Sequence, residues 1–316
     1  MSELLQLLAP QFAAHFSGIA FYATLILLGL MIGFLTGFFG VGGGFLTVPL
    51  LNIVLGVPYE IAVGSDLSFI IGTSSSGFLR QATLGKVEYK TVGCIAGGSI
   101  AGAVVGDILQ DFLIFSVAGG QRAVFNSIMH SLFVALLLFT VFIILKRPGQ
   151  EGGPKAQNGD PNAPGPISRP RLTPLQRLHF GPKVDLNHDG LEQVNLFGMI
   201  LIGFLVGILT GVMGIGGGVL MVPILLLLVG LPADKASGTS LGIVFLAASA
   251  GVMKKAISTT PKISLPITMS LLVASVIGVQ IGIHMVQNFD TSRFRRYFAL
   301  IVIGAVGLIL FDLLIL

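Results

Sequence analysis

Two glycine-rich segments carry the residues best suited to bind an anion. Residues 36–49 read TGFFGVGGGFLTVP, and residues 210–223 read TGVMGIGGGVLMVP, 174 positions later. Each glycine in a helix lowers its stability by about 1 kcal/mol relative to alanine, so each glycine triplet predicts a helix break. Bare glycine N–H groups, and the positive end of the helix that restarts after the break, would attract an anion. The alternative is that these glycines serve only close helix packing.

Hydroxyl groups accompany both glycine segments and complete the predicted binding site. Hydroxyls and amides without a fixed acid suit a small oxyanion that is bound and then released. A single Ser or Thr more often bonds back to its own helix, but recurrence in both segments favours binding for the group. The predicted residues are Thr36, Gly40, Gly42, Gly43, Gly44, Ser65, Thr210, Gly214, Gly216, Gly217, Gly218, Thr239 and Ser240. A methyl group at Gly43 is expected to block binding while the protein still folds.

Three charged residues near these segments are candidates for coupling or for attracting the anion. Asp66 has no acidic counterpart, because Ser240 stands 174 positions later. A carboxyl group within an apolar segment is costly and therefore a candidate proton-coupling site, unless it lies at the end of the segment in water. Arg80 and Lys254 occupy matching positions and are interpreted as markers of helix ends, with anion attraction as a secondary role.

The composition places the chain in a membrane. It is 316 residues long, 53% hydrophobic and 10% charged, with a mean hydropathy of +0.93. Soluble domains contain about 25% charged residues, so a soluble protein is excluded. Apolar stretches of about 20 residues indicate a multi-pass α-helical protein of the cell membrane. The single cysteine excludes a disulfide framework, the net charge of +4 requires no nucleic-acid partner, and no cofactor or metal site is predicted.

Ten apolar segments divide into two groups of five. The segments are Ile19–Phe39, Gly44–Val57, Ala62–Ala82, Thr91–Leu113, Ala123–Leu145, Leu196–Met213, Gly217–Val229, Ala236–Lys254, Ile263–Val286 and Phe294–Leu316. A stretch rich in Pro, Gly and charge separates the groups and predicts a flexible cytoplasmic loop. The expected organisation is a first transmembrane repeat at 1–145, the loop at 146–194 and a second repeat at 195–316.

The two groups are copies of one another. Gly33–Pro49 and Gly207–Pro223 are identical at 11 of 17 positions without a gap. In transporters such repeats place the substrate where the two halves meet, at helices interrupted by Gly or Pro. The roughly 39 residues from Ile19 to Val57 would form about 58 Å of helix, against a hydrocarbon core of about 30 Å. Two segments are therefore expected there, which gives five per half and favours inverted repeats, with eight to ten crossings in all.

The paired motifs resemble those of the sulfite exporter TauE/SafE family of membrane permeases. They are GFFGVGGGFLTVPLL and GVMGIGGGVLMVPIL, each followed by P-x-x-x-A-x-G-[ST] (PYEIAVGS and PADKASGT). The resemblance implies a membrane transporter, expected to be an exporter, of small sulfur-containing anions such as sulfite or organosulfonates. The substrate region that it implies is Gly40–Gly44 with Ser65 and Gly214–Gly218 with Thr239.

The sequence is compatible with two other functions. An intramembrane hydrolase would need a nucleophile from GTSSSG at residues 72–77 and a partnered histidine, and the triple Ser does not recur in the second half. A transporter or channel for a different small anion is the other alternative. The sequence leaves open the identity of the anion, the direction of transport, the coupling ion and the oligomeric state.

Overall fold

The chain folds into ten α-helices and one short β-ladder, counted over the residues that the structure describes. The structure is a computed structural model and describes residues 18–117, 122–146, 182–184, 194–257, 262–286 and 291–315. The helices of the first half are α1 (Gly18–Phe39), α2 (Gly44–Pro49), α3 (Tyr59–Thr83), α4 (Tyr89–Phe112) and α5 (Arg122–Lys146). Those of the second half are α6 (Leu196–Met213), α7 (Gly218–Ile224), α8 (Ala233–Ala256), α9 (Leu265–Val286) and α10 (Thr291–Ile315).

Each predicted apolar segment corresponds to one helix, so the polytopic all-α fold is confirmed. Six helices are long and apolar enough to cross a bilayer: α1, α4, α5, α6, α8 and α9. Large apolar side chains such as Leu27, Phe139 and Val273 are exposed on their outer surfaces. Because water would not tolerate so many exposed apolar side chains, the outer surface is suited to lipid.

The second helix of each half is short and ends in a widened turn. Pro49 is the last residue of α2, and the next turn, Leu50–Val54, is π-helical, with the Leu55 N–H donating to the Leu50 carbonyl at 3.1 Å. The same arrangement follows Pro223, at the sixth residue of α7. Proline lacks an N–H donor, so the normal helical hydrogen bond is missing at both places and the turn widens.

Glycine stripes join the first helix of each half to the fourth helix of the other half. A Cβ atom added to these glycines would strike backbone atoms of the facing helix, so the helices touch backbone to backbone. The contacts of α1 with α9 are Gly29 with Leu271, Gly33 with Ser275 and Gly37 with Val279. Those of α4 with α6 are Gly98 with Ile200, Gly102 with Phe204 and Gly106 with Ile208. Residue numbers rise together in both lists, so both pairs are parallel, and small residues at these positions let the two backbones touch.

The third helices of the two halves, α3 and α8, pack against each other in an antiparallel arrangement. Gly77 of α3 lies against Leu241 of α8, and Leu67 of α3 lies against Gly251 of α8. The residue numbers rise on one helix as they fall on the other, so α3 and α8 are antiparallel. These two helices occupy corresponding positions in the two halves.

Most of the predicted loop lies outside the described residues. Between α5 and α6 the structure describes residues 182–184 and 194–195, where Lys183–Val184 (β1) pairs with Val194–Asn195 (β2) in an antiparallel ladder. The Asn195 side chain then accepts a hydrogen bond from the Gly198 N–H at 3.2 Å and caps α6. The second half thus begins with a defined helix start.

Candidate anion site at the paired helix breaks

Both glycine segments break their helices with the same backbone conformation. Gly40, Gly42 and Gly43 have φ angles of 72°, 81° and 82°, and Gly214, Gly216 and Gly217 have φ angles of 74°, 67° and 70°. Side chains with a Cβ rarely adopt this left-handed region. The chain therefore leaves α1 and α6 abruptly and restarts at Gly44 and Gly218, as the triplets predict.

The two breaks lie directly against one another. A Cβ atom on Gly44 would stand 2.7 Å from the Ile215 carbonyl oxygen, and a Cβ atom on Gly218 would strike the Val41 carbonyl. Val41 and Ile215 are counterparts in the repeat, as are Gly44 and Gly218. The glycines thus allow two unwound backbones to meet at the centre of the protein, between halves that are distant in sequence.

Backbone N–H groups in both breaks make no hydrogen bond within the described part of the chain. The amides of residues 41–45 and 215–219 have no acceptor there, whereas the Gly40 and Gly214 amides cap α1 and α6 by donating to Thr36 and Thr210 at 2.8 and 2.9 Å. Residues 40–45 and 214–219 are all buried. A buried N–H without an acceptor is costly, so the two breaks together offer donors that a bound anion would satisfy.

Two predicted threonines lie beside these donors. The Thr36 hydroxyl donates to the Ile32 carbonyl at 2.9 Å and the Thr210 hydroxyl to the Val206 carbonyl at 3.0 Å. Each hydroxyl oxygen is 2.7 Å from the point where a Cβ on Gly43 or Gly217 would stand. The threonines therefore line the breaks, but their protons are engaged by their own helices.

Ser65 and Thr239 have structural partners at the start of other helices. The Ser65 hydroxyl accepts a hydrogen bond from the Ser264 N–H at 2.9 Å, just before α9. The Thr239 hydroxyl accepts one from the Glu88 N–H at 3.0 Å, just before α4. Each hydroxyl thus satisfies a backbone donor that a helix start leaves without an intrahelical partner, which is a capping role across the two halves.

Two buried side chains at counterpart positions of α3 and α8 have polar atoms without a partner in the described structure. Asp66 is fully buried, and neither carboxyl oxygen makes a hydrogen bond. Its Oδ2 lies 2.5 Å from the point where a Cβ on Gly44 would stand. Ser240, the counterpart of Asp66, is also fully buried, and its hydroxyl makes no hydrogen bond. Among the predicted site residues, these two have unengaged polar side chains.

Ser237 is a further candidate, which lies outside the predicted set. Its buried hydroxyl has no partner among the described residues, and the side chain packs against Gly40. Its repeat counterpart is Val63, so internal symmetry gives no indication of it. Only the contact between α8 and the first break identifies Ser237.

The structure does not bring Arg80 and Lys254 to the breaks. Both are exposed and lie in the last turns of α3 and α8. Arg80 is 14 residues beyond Asp66, which is about 21 Å along a helix. Any attraction that they exert on an anion acts at the surface rather than at the break.

A buried charge cluster near one end of α8 and α4 was not anticipated from the sequence. Lys255, which is buried, donates to Asp107 Oδ1 at 2.5 Å and to Gln110 Oε1 at 2.7 Å. Lys262 donates to Asp111 Oδ1 at 2.6 Å. Asp107, Gln110 and Asp111 lie three and four residues apart and so share a face of one helix. Three polar residues at this spacing within an apolar segment are the sequence feature from which the cluster could have been predicted.

The expectation that alanine at Gly43 would leave the fold intact is wrong. Gly43 has a φ angle of 82°, which alanine adopts only with strain. Its Cβ would also stand 2.5 Å from Ile32 Cγ2 and 2.7 Å from the Thr36 hydroxyl. Substitution would disturb the break itself, so loss of binding in this variant could not be assigned to a blocked ligand.

Comparison with known proteins places this double break in a family. The model of the family described as Sulfite exporter TauE/SafE matches residues 24–310, which includes both breaks. The chain belongs to this family. A probable membrane transporter protein of Methanocaldococcus jannaschii is 25% identical over 299 residues, covering 90% of this chain and 93% of the relative. One from Bacillus subtilis is 28% identical over 289 residues, covering 89% and 96%. No solved structure gives a significant match.

Membership of the TauE/SafE family decides between the classes that the sequence left open. The chain is a multi-pass membrane transporter, and the hydrolase alternative is set aside because family and relatives are membrane transporters. The relatives are named only as probable membrane transporters, so their names specify no substrate.

Proposed function

We propose that this TauE/SafE protein transports a small sulfur-containing anion, such as sulfite or a short sulfonate, that binds between the two helix breaks. The observation that carries the proposal is the contact of two breaks whose buried amides have no acceptor in the described structure. An oxyanion presents several acceptor oxygens at once and satisfies converging N–H donors. The family description, sulfite exporter, supports the substrate class and the outward direction.

We further propose that the two halves are inverted repeats in the membrane. The support is the antiparallel packing of α3 and α8, which are counterparts in the repeat. Two helices that cross a membrane in opposite directions can be exchanged by a two-fold axis only if that axis lies in the membrane plane. The breaks would then approach the site from opposite sides of the bilayer.

The topology can be tested with cysteines at counterpart positions. Thr83 is the last residue of α3, Ile257 directly follows the last residue of α8, and both are exposed. In a variant whose own Cys94 is replaced by alanine, Thr83→Cys and Ile257→Cys should react with an impermeant thiol reagent from opposite faces of a sealed vesicle. Reaction of both from the same face would exclude inverted repeats.

The anion site can be tested with two neighbouring hydroxyls on α8. Ser240→Ala removes a buried hydroxyl that has no partner among the described residues, so the fold should be as stable as before. If that hydroxyl donates to the anion, its loss should weaken binding by about 1.5–3 kcal/mol, or roughly 10- to 150-fold. Thr239→Ala is the matched control, because it removes a hydroxyl that caps α4 and should lower stability.

The assay is flux into liposomes that contain the purified protein, with sulfite, sulfate, thiosulfate and methanesulfonate as probes. Protein-dependent flux of sulfite or methanesulfonate, with a raised half-saturation concentration in Ser240→Ala, is the expected result. Flux of sulfate or thiosulfate alone would assign the transporter to another anion. An unchanged half-saturation concentration in Ser240→Ala would contradict a role of that hydroxyl at the site.

A further inference from the structure

The carboxyl group of Asp66 stands in an environment that does not suit a permanent negative charge. The side chain is fully buried, and neither oxygen has a hydrogen-bond partner in the described structure. A buried carboxylate without a counter-charge is strongly unfavourable. An anion bound at the adjacent breaks would add repulsion between like charges.

The groups around Asp66 offer it no positive partner. On α2, the Thr47 hydroxyl lies beside the carboxyl group but donates to the Gly43 carbonyl at 3.3 Å. On the second break, the nearest polar atom to Gly44 besides Asp66 is the Ile215 carbonyl oxygen, which is itself an acceptor. The Asp66 carboxylate and this carbonyl both approach Gly44, and neither carries a hydrogen, whereas a protonated carboxyl group would be a donor at this place.

The neighbouring titratable groups are engaged elsewhere. On α3, the Tyr59 hydroxyl donates to the Met213 carbonyl at 3.4 Å. On α5, the His130 Nε2 and the Asn52 Oδ1 are 3.0 Å apart. Before α9, the Lys262 ammonium group donates to Asp111, and the Lys262 backbone carbonyl packs against Gly64 of α3. Asp66 is therefore the acidic group that faces the break.

We propose that Asp66 binds a proton when the anion binds and that the protein transports the two together. The inference rests on the proposed anion site. The carboxylate takes a proton from water on one side of the membrane and becomes a neutral acid. It donates that proton in a hydrogen bond to the Ile215 carbonyl or to an oxygen of the anion, and it returns the proton to water on the other side. No bond other than the O–H bond forms or breaks.

Of the two counterpart residues in the repeat, Asp66 and Ser240, only Asp66 titrates as an acid. Ser240 occupies the counterpart position at the other break, and a hydroxyl there is a donor at every pH. One half therefore supplies a fixed donor and the other a donor that exists only when protonated. Proton and anion binding are then linked, so raising the pH by one unit should weaken anion binding by up to tenfold over the range in which Asp66 is ionised.

Methanesulfonate is the main probe for this proposal, since it stays ionised and carries no proton itself; sulfite is the second probe. The protein is reconstituted in liposomes with a pH-sensitive dye inside and with the membrane potential clamped by potassium and valinomycin. Wild-type protein should acidify the lumen by one proton for each anion that enters. Asp66→Asn imitates the protonated form, so it should transport the anion without acidification and at a rate that no longer depends on pH.

The controls separate this inference from the proposed function. Glu60→Gln makes the same chemical change in the first turn of α3, away from the break, and should keep the proton stoichiometry of wild type. If only sulfite is transported, the two sources of protons are separated by comparing wild type with Asp66→Asn. Acidification that persists in the variant comes from protons that sulfite itself carries. The acidification that is lost in the variant comes from Asp66.

Three results would overturn the proposal. If wild type transports the anion but moves no more protons than Asp66→Asn does, the proton coupling is overturned and the proposed anion transport stands. Flux that requires sodium and ignores pH would assign Asp66 to a sodium ion instead. Absence of flux and binding for both anions in wild type would overturn the proposed function and, with it, this inference.

Discussion

The backbone contact between α4 and α6 can be tested with two adjacent glycines. Gly98 faces α6, and its Cβ would strike the Ile200 carbonyl and stand 2.8 Å from the Phe204 N. Gly97 is next to it on α4, is exposed, and has nothing within 4 Å of its Cβ position. Gly98→Ala and Gly97→Ala therefore add the same methyl group to one helix, at a packed position in the first variant and at an open position in the second.

The expected loss of stability follows from the distance by which the helices must separate. Carbon atoms in contact are about 3.5–4.0 Å from their neighbours, so the methyl group of Gly98→Ala requires α4 and α6 to move apart by about 1 Å. Such a gap forfeits a quarter to a half of each contact of about 0.1–0.2 kcal/mol. Over about 50 atom pairs, the loss is about 1–5 kcal/mol, and the middle of this range, about 2–3 kcal/mol, agrees with the usual effect of overpacking.

The control should move in the other direction. Gly97→Ala removes a helix-destabilising residue without a clash and should be neutral or gain up to about 1 kcal/mol. The difference between the variants is therefore expected to be about 3 kcal/mol. On the scale of soluble domains of comparable size, Gly98→Ala should melt roughly 4–12 °C below wild type.

The single native cysteine provides the assay. Cys94 lies on α4, so a thiol-reactive fluorogenic dye reports the unfolding of this helix in detergent without further mutation. Melting curves are compared for wild type, Gly97→Ala and Gly98→Ala. Equal melting temperatures for the two variants would refute a backbone contact at Gly98.

Four further outcomes are expected. Lys255→Met should destabilise the protein by about 3–5 kcal/mol because Asp107 is left buried and unpaired, and adding Asp107→Leu should restore much of the loss; no recovery in the thermal melt would argue against the pair. Thr239→Ala should lower stability by about 1 kcal/mol at an unchanged half-saturation concentration for the transported anion. Arg80→Gln should raise that half-saturation concentration only at low ionic strength, and an equal effect at high salt would place Arg80 closer to the path. Gly43→Ala should lose folded protein as well as flux, and a normally folded variant would contradict the strained backbone.

The sequence predicted the helices and the breaks well because their causes are local. Apolar runs of membrane length and glycine triplets act through neighbouring residues, so the positions of α1, α2, α6 and α7 could be read directly. The roles of individual polar residues depend on partners far away in the chain. Ser65 caps a helix start 199 positions later, and Lys255 bonds a carboxylate 148 positions earlier.

The internal repeat identifies residues at corresponding positions of the two halves, but it does not predict what their side chains bind. The repeat pairs Asp66 with Ser240, and both side chains are fully buried with polar atoms that have no partner among the described residues. It also pairs Ser65 with Thr239, and these hydroxyls are used for capping. Whether a hydroxyl points to the breaks or to a backbone N–H depends on the packing of α3 and α8 against the other helices, which a repeat of residue types does not specify.

The exchange of helices between the halves determines which parts of the protein can move as rigid bodies. Since α1 touches α9 and α4 touches α6 through backbone atoms, a hinge motion that keeps these contacts must carry each first helix with a fourth helix from the other half. Each rigid unit therefore contains helices from both halves: α1 and α9 form one unit, and α4 and α6 form the other. The contact of α3 with α8 lies between these two units. A fragment that contains only one half of the sequence would hold neither unit, so a severed chain could regain its movement only when both fragments reassemble.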